Sequence, residues 1–191
     1  DKTLEILKKL DIHTVSHNTN KGYGAALKTG ISHAKFDTII ISDVDGTYPP
    51  KYIPELLEKY NDSKKDNHLG LDMIIGRRTG KFYFGSIYKK FLRKVLKFIV
   101  EWTTGSEVLD INSGFRIFSK KTIQKYFFNL SNAFSFSTTS TISYMLTNKS
   151  IDYIEIDYLR REGKSHVKII RDSLRTIQYV VETILFFNPL K

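Results

Sequence analysis

The 191-residue chain has 41% hydrophobic and 26% charged residues and no cysteine. That balance is globular, and it excludes disulfides, thiolate zinc sites and cysteine nucleophiles. Thirty basic residues against 20 acidic ones leave a net charge of +10, which points to phosphate-bearing partners: nucleic acid, anionic lipid or a phosphorylated small molecule.

Taken in chain order, periodicity predicts a helix over Thr3 to Leu10, then a short strand from Ile12 to His17. A glycine-rich turn leads into a helix over Ala25 to Ala34. Asp37 to Asp43 is a β-branched apolar run that ends on carboxylates, the pattern of a buried strand surfacing at its carboxyl end. A helix over Pro50 to Tyr60, a strand over Leu71 to Gly76 and a helix over Ser86 to Trp102 follow. Ile151 to Tyr158 alternates as a strand, and Lys168 to Phe187 is a long helix stopped by Asn188-Pro189. Alternating strands and helices imply an α/β fold with a mainly parallel sheet flanked by helices. No unbroken apolar run of about 18 residues is present, so no bilayer-spanning segment is expected. Because the chain opens on a helix, a first strand supplied by a segment upstream is also expected.

The sharpest chemical feature is Asp43-Val44-Asp45-Gly46-Thr47-Tyr48-Pro49-Pro50. Ligands of parallel sheets gather outside the carboxyl ends of strands, and hard oxygen donors at this spacing suit Mg²⁺ or Mn²⁺ holding a diphosphate. Asp-Gly is also a turn signal, so a solvated turn is the alternative. Asn20-Lys21-Gly22-Tyr23-Gly24, running on to Lys28 and Gly30, offers flexible backbone and a helix N-terminus to an anion, or is simply a tight turn. In Asp110-Ile111-Asn112-Ser113-Gly114-Phe115-Arg116, the arginine could grip a phosphate with both arms. Asp110 could act there as a general base or merely hold that arginine. Arg160 to His166 is a basic stretch between the last strand and the last helix. Lys90, Arg93, Lys94 and Lys97 share one face of an amphipathic helix, and Lys168, Arg171 and Arg175 repeat the design before an apolar run. Such helices either lie on an anionic membrane or back a core with solvated cations. The five histidines have no ligand spacing, and no RNA-binding signature accompanies the aromatic residues.

In order, these motifs resemble the inverting family 2 glycosyltransferases of the GT-A fold, in the branch of dolichyl-phosphate mannose synthase and bacterial polyprenyl-phosphate sugar transferases. Asn20 to Gly30 resembles N-x-G-x-G-x-A-x-x-x-G, and Asp43-Val-Asp45 stands where the metal-binding D-x-D falls. Asn112 to Arg116 resembles the S-G-F-R motif, and Arg161 to Ser165 the R-x-G-x-S loop. Asp1-Lys2-Thr3 resembles the end of D-D-G-S-x-D-x-T. The chain departs from the branch at Thr47, where a glutamine is frequent, and after Phe136, where many relatives carry an acidic residue.

The resemblance implies a Rossmann-type catalytic domain over 1–167 and a membrane-proximal amphipathic helix over 168–191. It implies transfer of a hexose from a nucleotide sugar to a polyprenyl phosphate with inversion, at the cytoplasmic face of a membrane, in service of the cell envelope. Asp43 and Asp45 would hold Mg²⁺ or Mn²⁺. Asn20, Gly22, Lys28, Asp43 and Asp45 would bind the donor. Arg93, Ser113, Arg116, Arg161 and Ser165 would bind the acceptor, and Asp43, Asp45, Asp110 and Arg116 would form the catalytic group. The alternatives are a soluble or polysaccharide acceptor, with Asp110 as base, or a non-catalytic module for a nucleotide sugar or nucleic acid. Nucleic acid is the weakest of these, since it does not require two carboxylates at a strand end.

Overall fold

A computed structural model describes residues 3–65, 70–80, 87–161 and 169–188, the side chains of 87–93 and 169–170 excepted. In chain order the elements are α1 (Thr3–Leu7), α2 (Tyr23–His33), β1 (Thr38–Ile41), a 3-10 turn (Pro50–Tyr52), α3 (Ile53–Asp62), β2 (Met73–Thr79) and α4 (Ile87–Thr104). There follow β3 (Arg116–Ser119), α5 (Lys120–Gln124), α6 (Phe136–Leu146), β4 (Ile151–Asp157) and α7 (Ile169–Phe187).

The strands form one sheet in the order β1-β3-β2-β4. β2 and β4 pair in parallel, while β3 runs antiparallel to both β1 and β2. Three strands therefore share a direction and β3, which sequence patterning does not reveal, is inserted against them. The expected strand over Ile12 to His17 is irregular backbone instead, since no partner strand lies beside it among the described residues.

Strand alternation splits the core into two layers. Ile39, Ile41, Met73, Ile75 and Phe118 face α2, α5 and α6. Ile74, Ile117, Ile154 and Ile156 face α3 through Leu56 and Tyr60. A third cluster joins Leu96 and Val100 of α4, Ile142 of α6, and Val180 and Ile184 of α7. α7 packs into this cluster along one stripe, while its Leu174, Val181, Leu185 and Phe186 stay exposed.

α6 is rich in serine and threonine, residues that disfavour helix interiors. It forms because it is buried from Phe136 to Tyr144. Its hydroxyls bond back to the preceding turn: Thr139 to the Ser135 carbonyl and Thr141 to the Ser137 carbonyl, both at 3.0 Å. Asp37 ties the start of β1 to α5 by accepting from the Ser119 hydroxyl at 2.8 Å and the Lys121 amide at 2.9 Å.

Candidate active site

The carboxyl ends of β1, β2 and β4 and the start of β3 converge on one edge of the sheet, where a cavity of about 320 Å³ opens. Its walls include Tyr23, Asp43, Asp45, Arg78, Asn112, Phe134, Tyr158 and Arg161.

The turn after β1 carries the two carboxylates. Asp43 Oδ1 accepts from the Tyr23 hydroxyl at 2.9 Å. Burial pushes the Asp43 carboxyl above its ordinary range, and the Asp45 charge adds to this, while Tyr23, Arg161 and Arg78 oppose it. Burial, then Asp43, likewise raises the Tyr23 phenol. Asp45 Oδ1 accepts from the Thr47 amide at 3.1 Å and from the Thr47 hydroxyl at 2.5 Å, closing a tight turn around Gly46. Asp45 Oδ2 faces Arg161 Nε at 2.8 Å. Gly114 makes room for the pair: a Cβ there would stand 3.2 Å from Asp43 Oδ2 and 3.3 Å from the Tyr23 hydroxyl.

Other expected site residues have different surroundings. Asp110 is buried and grips Arg78 through two 2.8 Å contacts, to Nε and Nη2. Of the two alternatives for Asp110, holding Arg116 gives way to holding Arg78, and a carboxylate held this way is poorly placed as a free base. Arg116 is 0% exposed. Its guanidinium donates to the Ser113 and Ser137 carbonyls and to the Ser140 and Thr141 hydroxyls. Burial lowers its pKa to about 10. The resemblance places Arg116 at an acceptor phosphate; in this structure the side chain points into the layer between β3 and α6. Ser113 is also fully buried and receives Arg116 on its carbonyl, so it too lies behind the cavity wall.

On the donor side, Asn20 Oδ1 accepts from the Gly22 amide at 2.9 Å. Gly22 has φ +98, and a Cβ there would collide with the Asn132 carbonyl oxygen; only glycine suits this turn. Both residues border a second cleft, of about 570 Å³, with Thr3, Val15 and His17. Lys28 is engaged elsewhere, donating to the Leu130 carbonyl at 2.6 Å and to Asn132 Oδ1 at 2.8 Å; burial lowers its pKa. Arg93 lies in α4 with its side chain outside the described residues, and Ser165 is outside them altogether.

Sequence reading missed Tyr23, Arg78 and Tyr158. The strand-end rule that picks out Asp43 also applies to Arg77-Arg78 at the end of β2, so a signal for Arg78 existed.

Among the described residues no cluster of three or more acidic or histidine side chains could cage a metal. Two adjacent carboxylates fit a hard cation that keeps its waters and takes substrate phosphates, as Mg²⁺ commonly does. Gly114 leaves Asp43 Oδ2 approachable for that role.

Comparison with known proteins follows the same lines. Curated relatives named undecaprenyl-phosphate 4-deoxy-4-formamido-L-arabinose transferase, from Salmonella paratyphi B and Salmonella newport, are 26% identical over the whole chain. The chain spans 56% of their length. The fold matches glucosyl-3-phosphoglycerate synthase from Mycobacterium tuberculosis in complex with phosphoglyceric acid, with TM-score 0.69 and 16% identity over 100% of this chain and 66% of that one. The same enzyme in complex with Mn²⁺, uridine-diphosphate-glucose and phosphoglyceric acid matches with TM-score 0.65 and 14% identity, over 93% and 57% of the two chains. These likenesses establish the GT-A α/β fold. The glycosyl transferase family 2 model matches residues 1–127, the stretch that holds both carboxylates, Arg78 and Asp110, and the chain belongs to that family.

Proposed function

We propose that the chain is the catalytic part of a glycosyltransferase that moves a hexose, with inversion, from a nucleotide sugar to a polyprenyl phosphate. The observation that carries the reading is the convergence of Asp43, Asp45, Arg78 and Arg161 on one strand-end cavity. Two carboxylates beside two guanidiniums form a site for a diphosphate with its metal on one side and a second anion on the other. Mg²⁺ or Mn²⁺ held by Asp43 and Asp45 would supply charge neutralisation for the departing diphosphate.

The chain's own part is positioning and electrostatics. Tyr23 and Thr47 fix the two carboxylates in place. Arg78, braced by Asp110, presents an oriented cation at the cavity wall. A phosphate acceptor is already anionic near neutral pH and needs no deprotonation, which suits a site whose Asp110 is committed to Arg78. The similar proteins agree in one respect: undecaprenyl phosphate and phosphoglyceric acid are both phosphorylated.

A peripheral membrane contact completes the proposal. α4 exposes Phe98 and Trp102 along with Lys94, and α7 exposes Leu174 between Arg171 and Arg175, with Leu185 further along the helix. No described helix is long and apolar enough to cross a membrane, so the contact would be interfacial.

The test is transfer of a radiolabelled hexose from nucleotide sugars to undecaprenyl phosphate by the purified protein, with Asp43→Asn and Asp45→Asn beside the wild type. Metal-dependent, lipid-linked product from the wild type alone supports the reading. Transfer equally strong in both variants contradicts it.

A further inference from the structure

Both oxygens of Asp45 are engaged from within the chain, on very different terms. Thr47, 0% exposed, holds Oδ1 through its amide and its hydroxyl. That bond pair belongs to the turn itself and persists as long as the turn does. Oδ2 faces Arg161 Nε at 2.8 Å, and the arginine side chain is 37% exposed at the end of a flexible stem. The neighbouring Asp43 receives Tyr23 on Oδ1 and turns Oδ2 toward Gly114. A divalent cation shared by Asp43 and Asp45 therefore meets Asp45 at the oxygen that Arg161 occupies. Two cations do not share one carboxylate oxygen at contact distance without strong repulsion.

We propose that Arg161 is an internal counter-ion of Asp45, exchanged for the divalent cation when the donor binds and thereby released for a ligand phosphate. The inference rests on the reading of Asp43 and Asp45 as the metal and diphosphate site. Its consequence is a coupling. Arg161 opposes binding of the metal alone, and a phosphate ligand that takes up the freed guanidinium removes that opposition. Metal and phosphate ligand then reinforce each other, and by linkage each strengthens the other by the same factor. The guanidinium suits both positions, since its planar fork pairs equally with carboxylate and with phosphate. In this arrangement Asp45 stays paired and ordered before the metal arrives, which spares the site two adjacent uncompensated anions.

Calorimetric titration of the purified protein with Mn²⁺ alone, then with Mn²⁺ in the presence of a nucleoside diphosphate, tests the exchange. The variants are Arg161→Gln, Arg161→Lys and Asp45→Asn, each checked for folding by thermal melting. Arg161→Gln is expected to bind Mn²⁺ alone about tenfold more tightly than wild type, within the usual range of coupling between two ligands. Its further gain on adding the diphosphate should be smaller than the wild type's. Arg161→Lys, which keeps the charge, should stay near wild type, and Asp45→Asn should lose the site. If Asp45→Asn loses Mn²⁺ but Arg161→Gln binds it no more tightly than wild type, the pair is purely structural and the exchange is wrong. If Asp45→Asn binds Mn²⁺ as wild type does, the metal reading fails, and the exchange with it.

Discussion

Arg78 meets Asp110 with both arms of its guanidinium: Nε lies 2.8 Å from Oδ2, and Nη2 lies 2.8 Å from Oδ1. The Arg78 amide donates to Oδ2 as well, at 3.1 Å. The end of β2 is thereby locked to the loop before β3, and the side chains keep only 14% and 2% of their exposure. Removing Asp110 takes these charge-assisted bonds from Arg78, and breaking a buried pair in this way costs about 3–5 kcal/mol. Asp110→Ala is therefore expected to lower unfolding stability by roughly that amount, read from urea denaturation. A general base would behave differently, losing turnover in Asp110→Asn while stability stayed at the wild-type value.

Arg116 yields a prediction of the same kind. Its donors reach the Ser113 and Ser137 carbonyls and the Ser140 and Thr141 hydroxyls. A lysine keeps the charge but reaches fewer of these acceptors, and each buried one left unpaired costs about 1–3 kcal/mol. Arg116→Lys should lower the melting temperature clearly while leaving the acceptor KM of the surviving folded protein near wild type. A raised acceptor KM at unchanged stability would return Arg116 to the ligand.

These two arginines show which parts of the site sequence alone reveals. Asp43 and Asp45 are legible because a β-branched run, Thr38 to Ile41, must end where polar residues begin. Their convergence with Arg161 is legible only through motif order, since nearly 120 residues separate them. Arg78, which sequence reading passed over, lines the cavity, while Arg116, which it placed at the ligand, is buried. An arginine beside a glycine turn looks like a phosphate ligand, and nothing local announces that a seryl-threonyl helix will cover it. The same helix is hidden because its stability comes from burial and not from propensity. β3 is hidden because four residues beginning with a charge, Arg116 to Ser119, carry too little periodicity to stand out. The supposed strand over Ile12 to His17 errs in the opposite way, as a local pattern with no partner strand among the described residues.

At low pH, Asp37 matters. The Lys121 amide bond above all, assisted by the Ser119 hydroxyl, holds its carboxyl below the ordinary range. A folded-state pKa below the unfolded one means the native state binds fewer protons in that window. The stabilisation is then complete above the ordinary carboxylate value and is lost as pH falls through the depressed folded value. Thermal melts from about pH 5 to about pH 2 should show a shallower acid loss in Asp37→Asn than in wild type. Parallel curves would mean that the tie between β1 and α5 contributes nothing measurable.

The proposed membrane contact rests on residues that differ in exposure. Lys97 has local acidic partners, Glu101 at 3.3 Å and Glu107 at 3.7 Å, so it adds less than the exposed Lys94 to attraction for an anionic surface. Near such a surface each free lysine contributes about 1 kcal/mol. Reversal in Lys94→Glu should therefore weaken co-sedimentation with anionic vesicles roughly tenfold or more. Trp102→Ala should weaken it by loss of an exposed aromatic anchor. Binding that ignores both substitutions would mean this face is not the one that meets lipid.

The central claim is that Asp43 and Asp45 together hold the metal and diphosphate of a donor nucleotide. The most direct measurement is calorimetry of a nucleoside diphosphate with the purified protein, with and without Mn²⁺, in wild type, Asp43→Ala and Asp45→Ala. Wild type should bind only with the metal present, and each variant should lose that metal-dependent binding while its melting curve shows a folded protein. Metal-dependent affinity unchanged in both variants would reduce the pair to a solvated turn and contradict the account.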